Sequence, residues 1–265
     1  MPKTNTLTKI TVFLIIVSVA IAAFSCNKSK VKKVKIKEPL EISKTVDESQ
    51  SPSDAAVLAV TTDAAVDASA EVLTFDTAQV GKLPTGWKID STRQKGLEAT
   101  WKVIDDATAP SGGRILAMVN PNHKSSGTFN ICRTDKISFL DGEIEVRFKA
   151  INGKIDQGGG VIWRVQNSDN YYIARFNPLE NNFRIYHVRN SVRTTLADAK
   201  IALSAHEWHT LKITQHGDQF EGYLNGKKLL EGKDETFAKS GGVGLWTKAD
   251  AVTSFDNFTV RPSKK

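Results

Sequence analysis

The 265-residue chain carries a formal net charge of +7, with 40% hydrophobic residues, 8% aromatic residues and two cysteines. So few cysteines exclude a disulfide-stapled scaffold, and one large or two small folded cores are within reach of this length. The positive balance comes without a Lys/Arg run interleaved with aromatics, so no nucleic-acid partner is expected; it favours acidic glycans or anionic surfaces weakly.

Lys3 and Lys9 make a short basic start, and an uncharged apolar run follows from Ile10 to Phe24. It is shorter than the roughly 20 residues a membrane-spanning helix needs and suits the core of a signal peptide. The run closes on Ala23-Phe24-Ser25-Cys26. Small residues just before a cysteine resemble the lipobox of bacterial lipoproteins, although Leu is commoner there at the place of Ala23. The resemblance implies removal of residues 1–25, diacylglycerol on the Cys26 thiol and acylation of the new N-terminus. Several acyl chains make such an anchor stable. The expected address is the cell envelope, as an outer-membrane lipoprotein facing the periplasm or the surface, with Asn27 compatible with that sorting. An ordinary cleaved signal and an uncleaved anchor are the alternatives.

Residues 26–72 read as a lipidated, disordered tether. Lys28, Lys30, Lys32, Lys33, Lys35 and Lys37 cluster behind the lipid site, and Ser, Asp, Ala and Thr follow without an aromatic residue. Such a stretch buries too little apolar surface to offset its conformational entropy. The lysines are either a solvated spacer or a contact for anionic head groups.

From about residue 73 to 262 the pattern is that of one all-β domain. Glu143-Ile-Glu-Val-Arg-Phe-Lys-Ala150 alternates, with Ile144, Val146, Phe148 and Ala150 on one face and charges on the other. Strands are expected over 161–166, 171–177, 183–188, 209–214, 220–224, 243–247 and 254–260, joined by hairpin connections. Asn225-Gly226 is a two-residue hairpin signal. Many short antiparallel strands and no helical period mean a two-sheet sandwich or jelly roll. Cys132, in Phe-Asn-Ile-Cys, reads as a small buried apolar residue.

Three stretches carry a family resemblance. Glu207-Trp208-His209-Thr210-Leu211-Lys212-Ile213 with Phe220-Glu221-Gly222-Tyr223-Leu224-Asn225-Gly226-Lys227 resembles the hairpins of laminin-G-like and other concanavalin-A-like lectin/glucanase domains. Gly242-Val243-Gly244-Leu245-Trp246 and Phe255-Asp256-Asn257-Phe258-Thr259-Val260 resemble the closing strands of the same superfamily. Gly158-Gly159-Gly160-Val161-Ile162-Trp163-Arg164 followed by Asn170-Tyr171-Tyr172-Ile173-Ala174-Arg175 is most similar to the 3-keto-disaccharide hydrolase domain family. The resemblance implies a concanavalin-A-like jelly roll and a glycan or oligosaccharide as partner; the same stretches also have a structural reason, with Trp208 and Trp246 able to fill the sandwich core.

Family members hold ligands on the concave face of one sheet. If Val161, Trp163, Val165, Tyr172, Ala174, Phe176, Phe183 and Ile185 point inward, the opposite face carries Arg164, Gln166, Tyr171, Arg175, Asn177, Arg184 and Tyr186. Arg and amide groups hydrogen-bond sugar hydroxyls or carboxylates, and Tyr stacks on a sugar ring. Arg164 and Arg175 are expected side by side, with a ligand, or acidic neighbours such as Asp156 or Glu180, to offset their repulsion. A solvated face of cross-strand pairs is the plain alternative, and a one-residue slip would swap the whole set. The carboxylate motif of the superfamily's glucanases is missing; Glu143 and Glu145 have the spacing but sit in a strand that resembles a non-catalytic one. His206 and His209 are three residues apart, not the four of a helical zinc motif. The resemblance also implies a Ca²⁺ site between an early loop and the last strand, with Asp76 and Asp256 as candidates and oxygen donors suited to a hard cation. Two functions follow: a carbohydrate-binding module on a lipid tether, or an enzyme of the 3-keto-disaccharide hydrolase type.

Overall fold

The computed structural model describes residues 70–122 and 125–263; the signal, Cys26 and almost all of the tether lie outside them. Among the described residues every helix or strand is a strand. In chain order these are β1 (Glu71–Leu73), β2 (Trp87–Thr92), β3 (Thr100–Asp105), β4 (Arg114–Asn120), β5 (Phe129–Phe139), β6 (Gly142–Asn152), β7 (Gly159–Asn167) and β8 (Asn170–Asn177). Then come β9 (Asn182–Arg189), β10 (Val192–Lys200), β11 (His209–His216), β12 (Gln219–Leu224), β13 (Lys227–Lys233), β14 (Gly241–Lys248) and β15 (Val252–Pro262).

They form two antiparallel sheets. One runs β13-β12-β11-β6-β15-β4-β3, with β1 alongside β15; the other runs β10-β9-β8-β7-β14-β5-β2. The alternation of β6 sets its place. Ile144, Val146 and Phe148 are fully buried, and they pair with Ile213, Leu211 and His209 of β11. Trp101, Phe139, Trp163, Tyr172, Phe176, Phe183, Phe255 and Phe258 fill the space between the sheets with them. Each such side chain contributes about 1.5–3 kcal/mol by leaving water. Cys132 lies in this core, and burial pushes its thiol pKa up, which leaves it inert.

Backbone conformation follows the turn chemistry. Asn225 and Gly226 both take positive φ, 48° and 78°, as a type I′ hairpin requires. Gly160 permits a close approach: a Cβ there would stand 1.9 Å from the Ala174 carbonyl oxygen. The outermost strand β10 is bulged between Thr195 and Ala197.

The two tryptophans are not in the inter-sheet core. Trp208 is half-exposed outside the other sheet, where Lys149 Nζ lies 4.8 Å from its ring centroid. Trp246 is fully buried, but on the opposite face of its own sheet. It faces outward because its neighbours Val243 and Leu245 take the inward positions of β14.

Candidate functional site

The outer face of the seven-stranded sheet is the one read as the ligand face, and it is not a flat solvated surface. Phe129, Ile131, Ile162, Val165, Tyr171, Ile173, Tyr186, Val188 and Trp246 form a second buried apolar cluster on it. The sheet curls strongly enough to bring its far strands together. Thr92, on edge strand β2, donates to the Ser168 carbonyl in the β7–β8 turn, and its hydroxyl is 2.7 Å from the Tyr171 hydroxyl. Burial pushes the Tyr171 pKa up.

A bulge decides which predicted residues reach this face. Arg164 takes φ +47°, and the β7–β8 ladder is irregular between Trp163 and Asn167. The extra residue turns Val165 outward into the second cluster, where an uninterrupted strand would have placed it in the core. Arg164 is thrown toward one end of the sandwich and is 2% exposed. Its Nε donates to Leu140 O (2.8 Å), Nη1 to Phe237 O (2.7 Å), and Nη2 to Gly217 O (2.7 Å) and Asp141 Oδ1 (3.1 Å). It ties three loops together. Gln166 follows it there, donating to Arg164 O and Ser240 O. The expected Arg164–Arg175 pair does not exist: Arg175 stands across from Gly160 on β7 and from Arg184 on β9.

Arg175, Asn177, Arg184, Tyr171 and Tyr186 do share the curled face. Arg175, 1% exposed, donates from Nη1 to Asn182 Oδ1 (2.8 Å) and from Nη2 to Glu180 Oε2 (2.9 Å) and the Tyr186 hydroxyl (3.1 Å). Arg184 reaches the same Glu180 oxygen at 3.2 Å and Asp198 at 2.9 Å. Burial opposes ionisation of Glu180, but hydrogen bonds from Asn182 and Arg175 and the charges of Arg175 and Arg184 bring its pKa down to about 2. Asp156, 1% exposed, accepts from Asn177 Nδ2 (3.0 Å) and Lys248 Nζ (2.9 Å). Arg133 pairs with Asp90 at 3.0 Å and with Asp135.

Arg193, on β10, was not read from the sequence. Its guanidinium carbon lies 4.4 Å from the Tyr186 ring centroid, 5.1 Å from Phe129 and 5.9 Å from Trp246. Burial lowers its pKa, and the charge of Arg175 adds to this. It covers the rings, so Tyr186 is 2% exposed and is not an open stacking platform. The groups nearer solvent are Arg184, Glu180, Asp198 and Asp90. The available signal for Arg193 was the β-branched pair Thr194-Thr195 behind the Asn190-Ser191 turn, where both turn residues have positive φ.

Asp76 and Asp256 come together at the other sheet. Asp256 is fully buried and accepts from the Ser111 amide (3.0 Å) and hydroxyl (3.0 Å) and from the Asn257 amide (2.8 Å). Its pKa is raised by burial, with the Asp76 charge adding. Asp76 accepts the Arg114 amide at Oδ1 (3.2 Å), and its carbonyl takes Arg114 Nη1 (3.0 Å). Two adjacent carboxylates, one buried against like charge, fit a hard cation; the Asp76 carbonyl is engaged elsewhere. Among the described residues no group of three or more His, Cys, Asp or Glu is placed to hold a metal. Glu143 engages Lys212 at 3.4 Å, and His209 is held by Ser204 O (2.9 Å) and Asn225 (3.1 Å).

The domain family described as 3-keto-alpha-glucoside-1,2-lyase-like matches residues 72–261. No curated protein matches the chain. Among solved structures, carbohydrate binding module CBM66 from Bacillus subtilis is similar at 20% identity and TM-score 0.52, over 66% of this chain and 95% of that one. The beta-glucanase of Bacillus licheniformis is similar at 12% identity and TM-score 0.51, over 74% and 99%. Cellulose induced protein, Cip1, is similar at 15% identity and TM-score 0.51, over 72% and 95%. These likenesses are of fold: the two sheets are a concanavalin-A-like jelly roll, as the hairpin motifs implied.

Proposed function

Because the chain belongs to the 3-keto-alpha-glucoside-1,2-lyase-like domain family, we propose that it is a saccharide-binding protein whose ligand lies on the curled face of the seven-stranded sheet. One observation supports the reading above others: Arg175, Arg184, Glu180 and Tyr186 converge there with their donors and acceptors aligned by mutual bonds, and Arg193 rests on the Tyr186 ring beside them. Preorganised polar groups over an apolar floor suit sugar hydroxyls, since the groups need no reordering when the ligand arrives. The ligand contacts are hydrogen bonds donated by Arg184 and Arg193 and accepted by Glu180, with Arg175 and Asn177 positioning them from beneath.

The second reading is an enzyme that cleaves an oxidised glucoside. It is favoured by the family and by two carboxylates of this face, the partly exposed Glu180 and the buried Asp156. Proton transfer wants a group whose pKa lies near the working pH. Glu180 is moved down and Tyr171 up, both away from neutrality. His187 of β9 is turned from the face toward Asp234 (3.3 Å). Binding is therefore the reading the electrostatics favour.

The lipid anchor belongs to the same proposal. Lipidated at Cys26 and carried on residues 26–72, the domain would present this face at the cell envelope. The test is calorimetric titration of glucosides and 3-keto-glucosides, each also assayed for cleavage. Binding without turnover, weakened at least tenfold by Arg184→Gln, is the expected result. Turnover lost in Asp156→Asn would replace binding with catalysis. Binding indifferent to face substitutions would remove the site.

A further inference from the structure

The charges of the curled face balance in pairs, with one exception. Glu180 and Asp198 answer Arg175 and Arg184, Asp156 answers Lys248, and Asp90 and Asp135 answer Arg133 and Lys88. Among the described residues Arg193 has neither an ion pair nor a hydrogen bond, and its Nη1 is buried without a partner. Arg133, Arg175 and Arg184 each have a carboxylate within 3.0 Å; the guanidinium of Arg193 lies against rings, and Asp156 and Glu180 act on it only from beyond ion-pair distance.

A guanidinium resting on aromatic rings is attracted through its π face, and its N–H donors point outward in the plane of the fork. Three rings hold this fork in place while leaving its donors unused. Native proteins seldom leave a buried donor unmatched, and such a group calls for a specific explanation. The fork geometry is that of a carboxylate partner, which accepts two parallel N–H bonds. One extra positive charge beside three sets of neutralised pairs also fits a ligand that brings one negative charge.

We propose that Arg193 is the anion-recognition residue of this face and that the saccharide bound there carries a carboxylate, as a uronic-acid unit does. The inference rests on the saccharide reading above and narrows it from sugars in general to acidic ones. Arg193 takes the carboxylate, and Arg184 and Glu180 take the hydroxyls of the same or the adjoining sugar.

The experiment titrates the full chain with a glucuronic-acid trisaccharide and with the same trisaccharide reduced at its carboxyls to the neutral sugar. At low salt the acidic form should bind at least tenfold tighter, and the margin should shrink as salt screens the charge. Arg193→Gln should abolish the margin, bringing the affinity for the acidic form down to that for the neutral form. Arg193→Lys, which keeps the charge but not the fork, should retain part of it. An equal affinity for the two saccharides, or a margin undiminished in Arg193→Gln, overturns the inference. If in that case Arg184→Gln still weakens both ligands, the saccharide site stands and only its acidic preference falls. If neither saccharide binds, both fall.

Discussion

Arg184 stands directly opposite Arg175 in the β8–β9 ladder, two guanidiniums on one face of adjacent strands. Glu180, from the turn that joins the two strands, accepts from both through a single oxygen. Like charges in direct register destabilise a sheet, so this turn carries its own remedy.

Glu180 should therefore give a pH-dependent contribution to stability. Its carboxyl is depressed to about 2 in the fold from an ordinary 4.5. A depressed acid stabilises above its unfolded pKa and ceases to do so as pH falls through the folded one. The melting difference between the wild type and Glu180→Gln should be full above pH 4.5 and close toward pH 2. The pair is partly exposed, so solvent screening limits the effect at pH 7 to about 1 kcal/mol. A difference constant from pH 7 to pH 2 would show that Glu180 acts through packing instead.

Arg164 should be structural. Removing a buried cation leaves Leu140 O, Phe237 O, Gly217 O and Asp141 without their shared donor. Arg164→Ala should cost about 3–5 kcal/mol in urea unfolding, the range for breaking a buried charged network. Saccharide affinity of the folded fraction should not change.

Calcium is expected to raise the melting temperature by several degrees, and EDTA to reverse it, if Asp76 and Asp256 share a cation. The mechanism is relief of repulsion at a buried carboxylate whose pKa is already raised. Asp256→Asn should abolish the response. A melting curve indifferent to millimolar calcium removes the cation from the site and leaves Asp256 as an acceptor for Ser111 and Asn257.

Cys26→Ala should release the protein from the membrane fraction and leave the precursor uncleaved. Sedimentation with membranes at an unchanged mass, identical to wild type, would reject lipidation at Cys26.

The sequence conveys the jelly roll well because its evidence is local. The two-residue period of β6, the Asn225-Gly226 turn and the inward set Val161, Trp163, Tyr172, Ala174, Phe176, Phe183 and Ile185 are all where the pattern puts them. The site is legible on β8 and β9, where Tyr171, Arg175, Asn177, Arg184 and Tyr186 lie on the expected face, but not on β7 beyond Trp163. Nothing in Trp-Arg-Val-Gln announces that an arginine will adopt positive φ, a conformation costly for a residue with a Cβ. That one residue takes Arg164 and Gln166 off the face and brings Val165 onto it. The curl of the sheet was equally hidden, since alternation reports which side a residue faces and not whether that side is wet. Hence Trp246, Ile162 and Ile173 sit in a second apolar cluster where a solvated surface was the plain alternative.

The bulge in β10 reaches beyond the site. An outermost strand offers unpaired N–H and C=O groups to any second chain, and a regular one templates a continuous ribbon of copies. In β10 the spacing of those groups breaks between Thr195 and Ala197, and Asp198 and Lys200 place opposite charges just past the break. At the free edge of the other sheet, β13 carries Lys227, Lys228, Glu231 and Lys233. Copies meeting at β10 or β13 would find a broken ladder or charged side chains, so these two edges resist stacking into fibrils without a partner to cover them.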